Sequence, residues 1–356
     1  NNAGDPGNKQ SFGASVSNDG RYVSFISDAT NLVEGDTNDK QDVFVRDRKN
    51  GTTVRISVSN FGEQANEDCH EAVISSDGRI LAFTSAATTL DENINNRSAD
   101  IFLCDREAKF VRRITRSAEG FETDHGSGEP AISANGRFVA FYSHATNIAA
   151  KDTNGRPDIY LFDAQNSTTE LISVASNRMI GNRDSRRPQV SEEGRYVVFE
   201  SWATNLVSGD KNDGPDVFLR DRESKKTICV STDADGKTGN DDSREPKISD
   251  DGNFVVFTSF ASNLVAGDTN NFPDIFVYDR KTRKTERVNL TTKGEQAAGR
   301  SGEGTLSGDG RWVAFASKAS NIVEYDTNQS RDIFVVDRAT KKILRISDPK
   351  TRKKSP

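Results

Sequence analysis

A two-residue turn signal returns along this chain every 58 residues: Asp19-Gly20, Asp77-Gly78, Asn135-Gly136, Glu193-Gly194, Asp251-Gly252 and Asp309-Gly310. A period this strict means one supersecondary unit copied six times, and six copies of 58 account for 348 of the 356 residues. Length alone would suggest two or three domains, but a repeat array that closes on itself is one domain at any copy number. The expectation is one domain over 1–356, with units at 11–57, 69–115, 127–173, 185–231, 243–289 and 301–347 and a basic tail at 348–356.

The fifth copy shows what one unit is. Pro246-Lys247-Ile248-Ser249 alternates weakly, Asp250-Asp251-Gly252 supplies the positive φ of a tight hairpin, and Asn253 to Ser259 is a β-branched and aromatic run. A 14-residue loop, Phe260 to Pro273, leads to a third strand at Asp274–Asp279, a short turn, and a fourth strand at Thr285–Asn289. Nothing here has a helical period. Six four-stranded antiparallel sheets with apolar residues on both faces must stack to bury them, and radial stacking leaves only short edges. The predicted fold is all-β: a six-bladed β-propeller of six 58-residue repeats. Phe25, Phe83, Phe141, Phe199, Phe257 and Phe315 hold one column of the second strand, and Phe44, Phe102, Tyr160, Phe218, Phe276 and Phe334 one of the third. Columns filled in every copy read as packing positions between blades.

The run Ile248-Ser249-Asp250-Asp251-Gly252, then Phe257-Thr258-Ser259, Asp274 to Asp279 and Arg287-Val288, resembles the TolB-type, WD-like β-propeller repeat. The resemblance covers nearly the whole chain but not a TolB N-terminal domain. It implies a propeller of bacterial type whose relatives are mostly non-catalytic protein-binding modules, often exported. An exported or periplasmic location is therefore expected, with the cytoplasm not excluded.

Composition removes some function classes. Lys and Arg total 48 against 54 Asp and Glu, for a net charge of -6, so the chain lacks the basic footprint of a nucleic-acid binder. The one basic run is the tail Lys350, Arg352, Lys353 and Lys354. No apolar stretch approaches the roughly 18 residues of a membrane-spanning helix. Cys69, Cys104 and Cys229 stand at unrelated repeat positions and read as buried thiols.

The most chemical feature is D-x-N-x-x-x-D in the long loop: Asp36, Asn38, Asp42; Asp152, Asn154, Asp158; Asp210, Asn212, Asp216; Asp268, Asn270, Asp274; and Asp326, Asn328, Asp332. Blade 2 keeps Asn96 and Asp100 but has Ile94 first. Oxygen ligands so spaced resemble the start of a calcium loop, although no downstream Glu completes one. The competing reading is that these side chains fold back on loop amides as Asx-turns, which needs no cofactor. Calcium stays open as the one candidate cofactor. Asp47, Asp105, Asp163, Asp221, Asp279 and Asp337 end every third strand and read as caps of the following turn.

Function in a repeat protein is sought where the copies differ. One column of the linker into the first strand holds Gly13, Glu71, Glu129, Arg187, Glu245 and Glu303, preceded by Phe12, His70, Gly128, Arg186, Arg244 and Gly302. His70, Glu71, Glu129, Arg186, Arg187, Arg244, Glu245 and Glu303 thus form a candidate partner- or ligand-binding mouth, or a self-neutralising ion-pair network between innermost strands. A Ser-His-Asp set drawn from His125 and Ser127 lacks a nucleophile elbow, so no catalytic residue is assigned. The reading that emerges is a non-catalytic scaffold or tethering subunit of a larger protein assembly. Its rivals are a propeller hydrolase or lyase with a calcium-assisted channel site, and a carbohydrate-binding lectin-like propeller.

Overall fold

The structure is a computed structural model that describes residues 1–91, 96, 98–149, 152–328 and 330–347. The Ile94 position and the basic tail lie outside the described residues. Six four-stranded antiparallel sheets are each built from four consecutive strands, which makes the chain an all-β, six-bladed β-propeller. It divides into two compact units. Asn1–Ser173 with Glu192–Gly194 carries blades 1 to 3, and Val174–Ser191 with Arg195–Pro356 carries blades 4 to 6.

Blade 5 runs Ser243–Ile248, Phe254–Ser259, Asp274–Asp279 and Lys284–Arg287. The third strand falls where the sequence places it, but the first starts three residues earlier than alternation suggests. The cause is a bulge: pairing passes from Arg244↔Thr258 to Lys247↔Val256, so Glu245 and Pro246 together oppose the single residue Phe257, and this one extra residue breaks the period of two. Glu245 sits in that bulge at φ 59°. The same left-handed conformation recurs at Gly13, Glu71, Glu129, Arg187 and Glu303.

The aromatic columns form the cores. Phe257 and Phe276 face each other in register, their ring centres 5.8 Å apart and both fully buried, and Phe199 with Phe218 at 6.0 Å repeats the arrangement in blade 4. The Asp-Gly turn contributes to blade stacking. Gly252 has φ 69°, and a Cβ on it would stand 2.1 Å from the Tyr196 ring, which opens the second strand of blade 4. Gly310 meets Phe254 of blade 5 in the same way, at 2.2 Å. Glycine is therefore required twice, by the backbone and by the ring beneath it.

The repeated aspartates close turns. Asp251 accepts from the Ser249 hydroxyl and the Asn253 amide, and Asp279 from the amides of Lys281 and Thr282. In the other five blades the third-strand aspartate also binds an arginine from the hairpin before it, as Asp163 does with Arg137 through contacts of 2.9 and 2.7 Å. That guanidinium holds the Asp163 carboxyl down to about 2. Blade 5 has Asn253 at the arginine's position. Cys69, Cys104 and Cys229 are all buried and unpaired, and burial pushes the Cys69 and Cys104 thiols up to about 12.

Candidate functional site

Two sets of residues compete for a functional role, and the geometry treats them differently. The first set is the D-x-N-x-x-x-D loops. In blade 1, Arg55 from the fourth strand reaches between the two carboxylates, 3.1 Å from Asp36 and 3.5 Å from Asp42. The Asn38 amide group donates to Asp42 at 3.0 Å and to the Ala65 carbonyl, its oxygen accepts the Lys40 amide, and Ser57 donates to Asp42. Burial pushes the Asp36 and Asp42 carboxyls up, and the guanidinium opposes that shift. Blade 5 repeats the plan, with Arg287 at 3.1 Å from Asp268 and 3.0 Å from Asp274 and Asn270 bridging to Asp274. Blade 6 does so with Arg345 on Asp326 and Asp332, and Asn328 donating to Asp332. In blade 2, Arg113 lies 3.4 Å from Asp100, both about as buried as side chains become, while Asn96 holds the Thr123 carbonyl.

Blades 3 and 4 depart from this plan, because the arginine column holds Leu171 in one and Cys229 in the other. Blade 3 has a substitute: its third-strand aromatic is Tyr160, whose hydroxyl donates to Asp152 at 2.7 Å, while Asn154 donates to Asp158 at 2.7 Å. Blade 4 keeps Phe218 in that place, so Asp210 and Asp216 have neither partner. The arginine column is the residue set that a reading of the loops alone misses. Its signal is plain once the copies are aligned: an arginine 19 residues after the first loop position in four copies and absent in two. Among the described residues, no group of three His, Cys, Asp or Glu side chains is placed to hold a metal ion.

The second set is the linker column. Each of its residues occupies the bulge of a first strand, and the side chains of Glu71 and Glu245 span to the neighbouring blade. Glu71 accepts the backbone amide of Glu129 at 2.7 Å and the Thr84 hydroxyl at 2.9 Å. Glu245 accepts the amide of Glu303 at 3.3 Å. Blade 4 exchanges the charges: Arg187 holds the column, and the buried Glu200 from the next strand takes over, accepting the Glu245 amide at 3.1 Å while Arg187 lies 3.4 Å from it. Arg186 pairs with Asp184 at 3.8 Å and Arg244 with Asp242 at 2.7 Å, whereas His70 is exposed beside Glu71 on its strand. Blade-to-blade clasps of this kind account for Glu71, Glu245 and the Arg187–Glu200 exchange.

An open concavity lies beside the clasp of Glu245 on Glu303. A groove of 440 Å³ runs along the first strands of blades 5 and 6, lined by Arg244, Glu245, Phe260, Arg300, Glu303, Lys318 and Arg331 among others. Arg331 pairs with Glu303 at 2.9 Å and Arg300 stacks on Phe260 at 5.6 Å. Arg300, Lys318 and Arg331 are exposed, so cations outnumber carboxylates here in an otherwise acidic chain. The sequence-predicted Arg244, Glu245 and Glu303 are thus brought together, and Arg300, Lys318 and Arg331 join them from columns not singled out in the sequence. Ser127 does not meet His125: its hydroxyl donates to Ser143 at 2.8 Å, and His125 lies beside Asp124. A larger groove of 1040 Å³ in the same unit follows the fourth strand of blade 4, with Tyr196, Ile228 and Tyr278 in its wall.

No family model matches the chain, and no curated protein matches it. Solved structures do. The β-propeller domain of the Trilobed protease from Pyrococcus furiosus aligns with a TM-score of 0.56 at 13% identity, over 95% of this chain and 84% of that one. An oligogalacturonate lyase in complex with manganese aligns at 0.55 and 11% identity, over 93% and 75%. A putative TolB from Agrobacterium tumefaciens aligns at 0.48 and 14% identity, over 78% and 80%. At these identities the likeness is one of fold alone, the β-propeller.

Proposed function

We propose that this chain is a non-catalytic interaction module that binds a protein partner as part of a larger assembly, in an exported or periplasmic setting, through the groove of blades 5 and 6. The observation that carries the reading is the excess of exposed cations there. The side chains repeated in every blade are engaged in turns, clasps and buried pairs, whereas Arg300, Lys318 and Arg331 line an open concavity of a chain whose net charge is -6. A carboxylate-rich peptide segment is the complement of such a groove: guanidinium groups take carboxylates through paired hydrogen bonds, and Phe260 gives the segment an apolar floor. The fold by itself favours neither binding nor catalysis, since similar propellers include TolB, a lyase and a protease domain, and function resides in the site. Among the described residues there is no helix long and apolar enough to cross a membrane.

The test is affinity capture from the native source at low salt, with wild type and an Arg300→Glu/Arg331→Glu double variant as baits. A stoichiometric protein retained by wild type and lost by the variant, with equal melting temperatures for the two baits, is the expected result. A wild-type bait that emerges alone, or an identical set of captured proteins on both baits, sinks the proposal.

A further inference from the structure

The arginine column stands beside the two loop carboxylates that blades 1, 3, 4, 5 and 6 carry. In blades 1, 5 and 6 it places a guanidinium at 2.7 to 3.5 Å from both carboxylates. In blade 4 the column is Cys229, a buried thiol whose pKa burial raises well above its usual value, so it is neither a cation nor a ready thiolate. The carboxylates remain. Asp216 is fully buried, with Ser231 donating to one oxygen at 2.6 Å and Asn212 to the other at 3.1 Å. Burial, and then the charge of Asp210, push Asp216 up to about 7.

Two further oxygens are unused. Oδ1 of Asp210 and Oδ1 of Asn212 are both sealed from solvent and have no hydrogen-bond partner. The Asp210 oxygen is the more telling, because Oδ1 of Asp36, Asp268 and Asp326 is the atom the guanidinium meets in blades 1, 5 and 6; the Asn212 oxygen faces away from Asp216, toward the loop. The counterparts of the Asn212 oxygen accept a loop amide in blades 1, 3, 5 and 6, from Lys40, Arg156, Phe272 and Ser330, but in blade 4 that position is Gly214, whose amide makes no such bond. The orientation of the Asn212 amide is fixed, because its nitrogen already donates to Asp216 and, at 2.8 Å, to the Gly239 carbonyl. Gly214 also lets a third carboxylate approach, since a Cβ there would stand 2.1 Å from Asp242 Oδ1. Arg183 acts on Asp210 from a distance, and the cations along these loops are paired or exposed. Arg183 pairs with Asp213 at 3.3 Å, Arg244 pairs with Asp242, and Lys211 is exposed.

We propose that the blade 4 loop binds a hard divalent cation, Ca²⁺ or Mg²⁺, through Asp210 and Asp216, in the space a guanidinium fills in blades 1, 5 and 6. Oxygen ligands of this kind suit hard cations, with water completing the shell. Buried charge of one sign is costly unless it is paired, and here the pairing ion comes from solution where blades 1, 5 and 6 supply it covalently.

The experiment is calorimetric titration of the chelator-treated full chain with CaCl₂ and separately with MgCl₂, alongside thermal melts in the same solutions. One equivalent bound per chain, with a melting temperature that rises with cation concentration, is expected, and the salt giving the tighter binding identifies the ion. Cys229→Arg restores the arrangement of blades 1, 5 and 6 and should abolish both the heat and the shift. Should that variant not fold, Asp210→Asn replaces it, with an expected loss in affinity of at least about tenfold. Neither heat nor shift with either salt would overturn the proposal and leave a shared proton as the balancing charge; unchanged binding in the variants would overturn it equally.

Discussion

Blades 4 and 5 share a loop pattern and a backbone, and they hold their charge in opposite ways. In blade 5 the pair Asp268 and Asp274 closes on Arg287, all three side chains almost sealed from water. In blade 4 the pair Asp210 and Asp216 is met by the neutral donors Ser231 and Asn212, both on Asp216, with Cys229 where the arginine stands. Blade 3 lies between them, its Tyr160 hydroxyl donating to one oxygen of Asp152 without adding charge. The contrast teaches that a repeated loop motif does not carry a repeated property. One residue on a strand 19 positions away decides whether the loop is a finished internal ion pair or an acceptor of something else.

Removing the cation from blade 5 should give the largest effect. Arg287→Met leaves two buried carboxylates facing each other, and a loss of about 3–5 kcal/mol in urea denaturation is expected; a loss near zero would mean the pair is solvated and the contrast with blade 4 empty. Next comes a matched pair of variants measured in chelator. Asp268→Asn should cost about 1.5–3 kcal/mol by removing a charged partner of Arg287, whereas Asp210→Asn in blade 4 should be neutral or stabilising, since it relieves repulsion. Equal costs would erase the distinction. Cys229→Arg should raise stability in chelator by about 1–2 kcal/mol, making blade 4 resemble blade 5.

The smallest effect concerns the turns, where the contrast runs the other way because blade 5 lacks the arginine. Asp163 in blade 3 is held down to about 2 by Arg137, from an ordinary value of 3.8. A depressed folded-state pKa contributes stability that is fully present above 3.8 and is lost as pH falls through about 2. Arg137→Asn, copying the Asn253 of blade 5, should therefore flatten the fall of the urea midpoint between about pH 4 and pH 2. An acid limb identical to that of wild type would count against the pair.

Much of this was legible in the sequence, and the exceptions have physical causes. The 58-residue period, the aromatic columns and the third strand at Asp274–Asp279 can be read directly, because they depend on local alternation and on turn residues with fixed backbone demands. The bulge at Glu245 cannot. Glutamate has no preference for φ 59°, and only Gly13, the one glycine in that column, hints that the position is left-handed. What holds Glu245 there is its clasp on the Glu303 amide, a contact between blades that no single repeat contains. The loop carboxylates were visible as a pattern, but Arg55, Arg287 and Arg345 lie a strand and a turn away and are joined to them only by folding. Arg300, Lys318 and Arg331 were missed for a related reason, since they come from three different columns and meet only in the groove.

The three buried thiols give the molecule a built-in clock of its own opening. Cys69 and Cys104 belong to one compact unit and Cys229 to the other, and each is protonated and shielded while its blade is closed. A maleimide added to the native chain can therefore react only as fast as the surrounding sheets part, and peptide mapping of the label would time that parting separately for blade 2 and blade 4.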